Sequence, residues 1–160
     1  MVILRPMAET EFQAYLEPAI QDYAQNIFEN GTLTEAQALE RSRQQYGELL
    51  PQGLASPRQY LFTLVEPEQQ QSVGILWFAI EERPGRAPYA FVYDIRINDA
   101  HQRHGYGSQA FQEMEKKVRE LGINQIALHV FGSNTGALEM YKKLGYISTD
   151  VNMAKTLDPA

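Results

Sequence analysis

The chain has 160 residues, an apolar content of 44%, a formal net charge of −6 and no cysteine. This length suits a single domain with one core, and the acidic balance argues against a broad nucleic-acid surface, which needs many basic residues. The lack of cysteine excludes a disulfide framework, a thiolate nucleophile and a cysteine-ligated zinc site.

The chain carries no evident targeting or membrane signal. Its first residues lack a basic region ahead of a long apolar run, and the longest apolar runs, 74–80 and 90–93, are too short to cross a bilayer. We therefore expect a cytoplasmic protein with no membrane segment.

The first half of the chain alternates between strand and helix signals. Helical periodicity covers residues 10–28, with Pro18 as an expected break, and residues 34–50, which open with a Thr34–Gln37 capping box. Short apolar, β-branched and aromatic runs predict strands at 2–4, 60–65, 73–81 and 89–97.

The second half opens with an amphipathic helix. Phe111, Met114, Val118 and Leu121 recur at helical spacing, and Gly122 ends that helix. The remaining segments predict a strand at 126–131, a helix at 135–144 and short strands at 146–149 and 151–156.

This order predicts an α+β fold. We expect a mixed, mostly antiparallel central sheet of six to seven strands with helices on both faces, and a parallel pair of strands 89–97 and 126–131. Residues 1–160 are expected to form one domain.

The most informative segment lies between the strand 89–97 and the helix that follows. Gly105 and Gly107 stand where a polar loop becomes a helix, and glycine lets the backbone approach a ligand closely. The first turn of a helix offers unpaired N–H groups and the positive end of the helix dipole, which together favour a phosphate group. Arg103 and His104 add local positive character. A glycine turn ahead of an ordinary helix, with no bound ligand, is the alternative interpretation.

A dinucleotide-binding loop is the main rival interpretation. Gly105-x-Gly107-x-x-Ala110 has the form of that fingerprint. However, seven residues separate the strand from the first glycine, and the strand ending at Phe131 carries no acidic residue for a ribose. A nicotinamide-dependent oxidoreductase is therefore disfavoured.

The loop also carries a more specific pattern. Gln102-x-x-Gly105-x-Gly107 resembles the signature (Gln/Arg)-x-x-Gly-x-(Gly/Ala) of the GNAT superfamily of acyl-CoA-dependent N-acetyltransferases. The resemblance implies acetyl-CoA as acyl donor, with main-chain amides gripping its pyrophosphate and the preceding strand pairing with the pantetheine arm. The residues it implies for cofactor binding are Ile95, Ile97, Gln102, Arg103, His104, Gly105, Tyr106, Gly107 and Ser108.

A second motif lies downstream. Asn134, Ala137, Tyr141, Gly145 and Tyr146 match the family's second motif, so the two motifs together span roughly residues 90–147. The resemblance implies that Asn134 contacts the cofactor, for which a helix cap is the alternative role. It also implies that Tyr141 is the acid that protonates the departing thiolate, for which packing on the sheet is the alternative.

The acceptor side is less defined. The resemblance implies direct attack of a small-molecule or peptide amine on the thioester, with the alternative of an inactive acyl-CoA-binding regulatory module. No metal, nucleic-acid or membrane partner is expected, and a homodimer is left open. By residue type alone, four residues could act as the general base: Asp94, Glu81, Glu82 and His129. For His129 a buried core histidine is the simpler interpretation. We expect the acceptor to be lined by Tyr15, Asp22, Tyr23 and Tyr146.

Overall fold

A computed structural model describes residues 1–159 of the chain. Within that range the elements are β1 (Ile3–Pro6), α1 (Glu9–Glu29), α2 (Glu35–Leu49), β2 (Gln59–Glu66), β3 (Gln71–Arg83), β4 (Arg86–Ile97), α3 (Tyr106–Glu120), β5 (Ile126–Leu128) and α4 (Thr135–Lys143).

The strands form one sheet in the order β1-β2-β3-β4-β5. Neighbouring strands from β1 to β4 pair antiparallel, whereas β4 and β5 pair parallel. The predicted α+β class, the mixed and mostly antiparallel sheet and its parallel pair are confirmed. The predicted count of six to seven strands is wrong, because residues 1–159 contain five.

The missing strands fall at the C-terminal end. β5 ends at Leu128 rather than at residue 131, and residues 146–149 and 151–156 contain no strand. A strand requires a partner for its backbone hydrogen bonds, and residues 147–159 make none in the described chain. Their alternating sequence is therefore not enough to produce a strand here.

Helix α1 runs without interruption through Pro18, so the expected break there is wrong. Proline removes one backbone hydrogen bond and crowds the preceding turn. Pro18 and Ala14, whose carbonyl loses its donor, both lie on the exposed side of α1, where water can reach that oxygen. The opposite side, with Phe12, Ala19 and Ile20, is buried and holds the helix in place.

The sheet has two buried faces. Trp77 of β3 belongs to the core cluster that α1 and α2 form on one face. Leu76 and Phe78 point to the opposite face because side chains alternate along a strand, and both are fully buried. Helix α3 contacts β1 and β4.

The chain divides into two compact units. The first, Met1–His129, contains the whole sheet and helices α1 to α3. The second begins at Val130 and contains α4. The single domain over residues 1–160 stays a prediction.

Candidate functional site

The glycine loop turns into α3 through two left-handed residues. Arg103 has φ of +63° and Gly105, the residue that caps the helix, has φ of +79°. Gly105 has no side chain to satisfy the first helical N–H groups, and within residues 1–159 this end of the helix has no side-chain cap hydrogen bond. The first hydrogen bond of the turn runs from the Gln109 N–H to the Gly105 carbonyl oxygen, 3.1 Å away. The amides that precede Gln109 are therefore available for an anion.

Gln102 fixes the start of this loop with its side chain. The Gln102 amide nitrogen donates to the Ile97 carbonyl oxygen at 3.1 Å and to Asp99 Oδ1 at 3.2 Å. Gln102 therefore ties the loop to the end of β4, which its place in the sequence motif did not reveal. His104 Nδ1 lies 3.1 Å from the His101 carbonyl oxygen, and the His104 ring stacks on Tyr106 at 6.0 Å.

Beyond Val92 the edge of β4 has no strand partner within residues 1–159, and we call this part its open edge. Its parallel pairing with β5 covers only Ala90–Val92. The Asn98 N–H donates to the Val73 carbonyl oxygen of β3 at 2.8 Å. Because alternate residues direct their N–H and C=O groups to opposite sides of a strand, Ile97 and Ile95 direct theirs away from β3. The end of β4 thus presents main-chain groups on the side where β5 has already stopped.

A bulge in β4 precedes this open edge. Trp77 of β3 pairs with Asp94 and the next residue, Phe78, pairs with Val92, so Tyr93 is the extra residue. A bulge locally re-aims side chains. It places Asp94 on the α1 side of the sheet, where the Tyr15 hydroxyl donates to Asp94 Oδ2 at 2.7 Å.

Asp94 belongs to a polar cluster of four residues, Tyr15, Asp22, Asp94 and Arg96, which we call the Asp94 cluster. Arg96 Nε donates to Asp94 Oδ2 at 3.0 Å, and Arg96 also pairs with Asp22 of α1. The Asp94 side chain is only 15% exposed, whereas that of Asp22 is 61% exposed. Two carboxylates and one guanidinium leave this cluster with one net negative charge.

Ionisation in the Asp94 cluster follows from burial and pairing. Burial raises the pKa of the Tyr15 phenol well above its ordinary value, and the negative charge of Asp94 acts in the same direction. Burial alone would lower the pKa of Arg96, but the two carboxylates outweigh it and raise that pKa. Tyr15 is therefore a neutral donor and Arg96 a fixed cation.

The structure separates the other sequence-predicted acceptor and base residues. Glu81 accepts from the Tyr93 hydroxyl at 2.5 Å, and the Tyr93 ring stacks on Trp77 at 4.8 Å. Tyr23 packs edge-on against Tyr46 at 6.2 Å. The base candidate Glu82 pairs at 3.0 Å with Arg58 in solvent, where both side chains are more than half exposed.

His129 is exposed and lies beyond the end of β5. The expectation of a buried core histidine is therefore wrong, because the strand that would have buried it stops at Leu128.

The sequence did not single out Arg96. Its signal was a second charged residue, beside Asp94, in the otherwise apolar and aromatic stretch of β4 from Val92 to Ile97. A charge at such a position requires a partner, and the sequence predicts other roles for both partners of Arg96, Asp22 and Asp94.

The second unit holds the residues of the downstream motif. Asn134 Oδ1 accepts from the Ala137 N–H at 3.3 Å, so Asn134 is the cap of α4. The Tyr141 ring lies edge-on to Tyr146, with 5.9 Å between centroids. Contact of Asn134 with a cofactor and acid catalysis by Tyr141 stay predictions.

The described residues show neither a metal-binding cluster nor a membrane-spanning helix. Among residues 1–159 no group of three or more histidine, aspartate and glutamate side chains is arranged to hold a metal ion. None of the described helices is both long and apolar enough to span a membrane.

Comparison with known proteins gives consistent matches. The sequence profile of the acetyltransferase (GNAT) family matches residues 18–146. The uncharacterized N-acetyltransferases YdgE and YycN of Bacillus subtilis are each 34% identical to this chain, over 155 and 157 residues. The first match covers 96% of this chain and 97% of YdgE, and the second covers 98% of this chain and 99% of YycN.

The crystal structure of YycN from Bacillus subtilis superposes on this fold with a TM-score of 0.90, covering 99% of this chain and all of YycN at 34% identity. A mycothiol acetyltransferase of Propionibacterium freudenreichii is 30% identical over 128 residues, which are 79% of this chain and 38% of that enzyme.

Proposed function

This chain belongs to the acetyltransferase (GNAT) family, and from that premise we propose that it transfers an acetyl group from acetyl-CoA to a primary amine by direct attack. The observation that carries the proposal is the uncapped N-terminus of α3 at Gly105, directly after the open edge of β4.

The loop fits a diphosphate group. Amides at the start of α3 converge with the positive end of the helix dipole, a combination that binds phosphate oxygens without a large excess of basic residues. Arg103 is exposed at the rim of the loop and adds a cation. This is consistent with a protein whose overall charge is negative.

The open edge of β4 fits an extended chain that carries amide groups. The N–H and C=O groups of Ile95 and the N–H group of Ile97 point away from β3, and an extended ligand can pair with them as an added strand does. The Ile97 carbonyl oxygen already accepts a hydrogen bond from Gln102. The pantetheine arm of acetyl-CoA contains two amides. Pairing it with this edge would place the thioester near the bulge at Tyr93.

Acetyl-CoA supplies an activated acetyl thioester, and the residues of the chain position the acceptor amine and attract it by their charge. The Asp94 cluster lies on the α1 side of β4 and has one net negative charge, which favours an acceptor that arrives as an ammonium ion. Within the cluster, Asp94 already accepts hydrogen bonds from Tyr15 and Arg96. We therefore assign the cluster to attraction and orientation of the acceptor rather than to proton removal.

Tyr141 is proposed as the proton donor to the departing thiolate. A phenol is neutral at physiological pH and can donate one hydrogen bond or proton. The position of Tyr141 in the second family motif supports this role.

Calorimetric titration with acetyl-CoA tests the cofactor site. We expect Gly107→Trp to weaken binding at least 100-fold, because an indole in the first turn of α3 would fill the space that the diphosphate needs. Gly47→Trp is the matched control: Gly47 is an exposed helical glycine with no atom within 4 Å of an added Cβ, so that variant should bind normally. Equal affinity in wild type and Gly107→Trp would refute the site.

An amine panel then separates an enzyme from an acyl-CoA-binding module. We expect acetyl-CoA-dependent release of free thiol with at least one class of primary amine. Tight acetyl-CoA binding with no thiol release over a broad panel would favour the binding module.

A further inference from the structure

Glu81 of β3 is a half-buried carboxylate without a cation. One of its oxygens accepts from the Tyr93 hydroxyl at 2.5 Å, and within residues 1–159 its side chain has no ion pair and no second hydrogen bond. A charge that is partly removed from water favours a partner of opposite sign. The other half-buried carboxylates of the described chain have such partners or accept two main-chain N–H groups: Glu11, Asp94, Glu113 and Glu115 pair with arginine or lysine, and Glu66 binds the amides.

Aromatic rings accompany this carboxylate on the α1 side of the sheet. Glu81 and Trp77 share that side because they lie four residues apart on β3, and Phe91 joins them because its partner is Ala79. The Tyr93 ring contacts the rings of Trp77 and Phe91, with 4.8 Å between centroids in both pairs. Tyr93 and Phe91 are half-buried and so keep exposed surface. Such ring surfaces attract cations through their quadrupoles.

A cation of the chain itself already lies against one ring in this region. The Arg83 guanidinium carbon is 4.5 Å from the centroid of Tyr89, which is the cross-strand partner of Glu81. Arg83 donates to the Ala87 carbonyl oxygen at 2.9 Å and to Gln125 Oε1 at 3.0 Å, and it forms no ion pair within residues 1–159. Arg83 therefore leaves the charge of Glu81 available for another cation.

Glu81 lies at a defined distance from the Asp94 cluster. Asp94 pairs with Trp77, and Glu81 lies four residues farther along β3, which is about 13 Å at roughly 3.3 Å per residue. Both carboxylates are on the α1 side of the sheet. A chain that starts at the Asp94 cluster and follows the rings of Tyr93 and Phe91 therefore reaches Glu81.

We propose that Glu81, with the rings of Tyr93 and Phe91, binds a second ammonium group of the acceptor, which makes the preferred acceptor a diamine with its nitrogens about 10–13 Å apart. The inference rests on the proposed acetyl transfer for the position of the attacked amine, at the Asp94 cluster. Glu81 then selects against a monoamine of the same length, because that ligand would cover the carboxylate without supplying a charge to pair with it.

Amide NMR of the 15N-labelled protein, titrated with two ligands of equal length, tests the site. In 1,8-diaminooctane nine bonds separate the nitrogens by about 11 Å, at ~1.2 Å per bond of an extended chain. In 8-amino-1-octanol a hydroxyl replaces the second ammonium. We expect the diamine to shift the amides of Glu81, Phe91 and Tyr93 saturably and to bind at least tenfold more tightly than the amino alcohol.

Two glutamine substitutions locate the charge that is responsible. Glu81→Gln removes the charge and keeps an oxygen that can accept from Tyr93, so it should weaken diamine binding at least tenfold and leave amino-alcohol binding unchanged. Glu82→Gln is the matched control. It removes the same charge from the next residue, which lies on the opposite face of β3 and pairs with Arg58 in solvent, so the preference for the diamine should persist.

The inference is overturned by equal affinity of the wild type for the two ligands, by shifts confined to amides away from Glu81, or by equal weakening in Glu81→Gln and Glu82→Gln. The first two results need no variant, so they count even where a substitution prevents folding. The titrations contain no acetyl-CoA and are therefore independent of the transfer reaction. A diamine preference without acetyl-CoA-dependent thiol release would refute the proposed function and leave the Glu81 site standing. Thiol release with a diamine kcat/KM that Glu81→Gln leaves unchanged would do the reverse.

Discussion

Gly74 of β3 is the position at which a single methyl group should do most damage. A Cβ added there would lie 2.1 Å from the carbonyl oxygen of Arg96 on β4, about 1.2 Å inside the ordinary carbon–oxygen contact of ~3.3 Å. Neither atom belongs to a flexible side chain, so the methyl group of Gly74→Ala can fit only if β3 and β4 move apart near Ile97, the partner of Gly74 in the sheet.

The expected cost can be worked from this displacement. Overpacking in a well-packed site costs about 1–3 kcal/mol. Separation of the strands also stretches neighbouring hydrogen bonds, such as the 2.8 Å bond from the Asn98 N–H to the Val73 carbonyl oxygen, and each hydrogen bond lost adds about 1 kcal/mol. We therefore expect Gly74→Ala to lower the free energy of unfolding by about 3 kcal/mol, which shifts the urea midpoint by roughly 1–2 M.

Gly47→Ala is the control for this measurement. It makes the same chemical change at an exposed position of α2 where an added Cβ meets no atom within 4 Å. Alanine is a better helix former than glycine, so this variant should gain up to about 1 kcal/mol. Urea unfolding curves in which Gly74→Ala loses less than about 0.5 kcal/mol would refute the close approach of the two strands.

Three further predictions concern the site and its pH dependence. Tyr141→Phe should lower kcat much more than acetyl-CoA affinity, and steady-state kinetics with unchanged kcat would remove Tyr141 from the mechanism. Arg96→Met leaves the nearly buried Asp94 without its cation and should lower the free energy of unfolding in urea by about 3 kcal/mol. Asp22→Asn changes a mostly exposed side chain and should lower it by less than about 1 kcal/mol. Equal losses in the two variants would contradict this ranking. Burial raises the pKa of Glu11, but hydrogen bonds, the strongest from Arg5, outweigh burial and lower that pKa below its ordinary value of 4.5. The ionised Glu11 side chain therefore stabilises the folded protein above pH 4.5, and this stabilisation is lost as the pH falls further. Melting curves of wild type and Glu11→Gln should therefore converge toward acidic pH.

The elements closest to the site were the most predictable from sequence. The strand 89–97, the glycine loop and the helix that follows all appear in the structure, because each carries local signals: apolar and aromatic residues in the strand, glycine at a left-handed position and helical spacing in α3. The Thr34–Gln37 capping box is likewise present, with bonds of 3.2 and 3.0 Å between the two residues.

The errors arose where long-range contacts override local signals. Pro18 does not break α1, because the buried face of that helix is held by packing. Residues 146–156 alternate as a strand does but find no partner within the described chain. Local pattern reports what a segment can form, whereas the neighbouring elements decide whether it forms.

The acceptor side was the least predictable. Tyr15, Asp22 and Asp94 are predicted from sequence to line the acceptor site or to act as base, but their convergence in the Asp94 cluster depends on a bulge at Tyr93 and on contacts between residues up to 79 positions apart. The sequence offers no signal for that register. It did show a charged residue at position 96 inside an apolar strand, which was the available hint of a buried ion pair.

The central claim is that main-chain amides at the start of α3 bind a diphosphate by hydrogen bonds. Amide NMR of the uniformly 15N-labelled protein, titrated with coenzyme A, tests this claim most directly. We expect the largest proton shifts, downfield and saturable, at the amides of Tyr106, Gly107 and Ser108, with smaller changes at Ile95 and Ile97. Saturable binding that leaves the amides of residues 105–108 unmoved would contradict the proposed cofactor site.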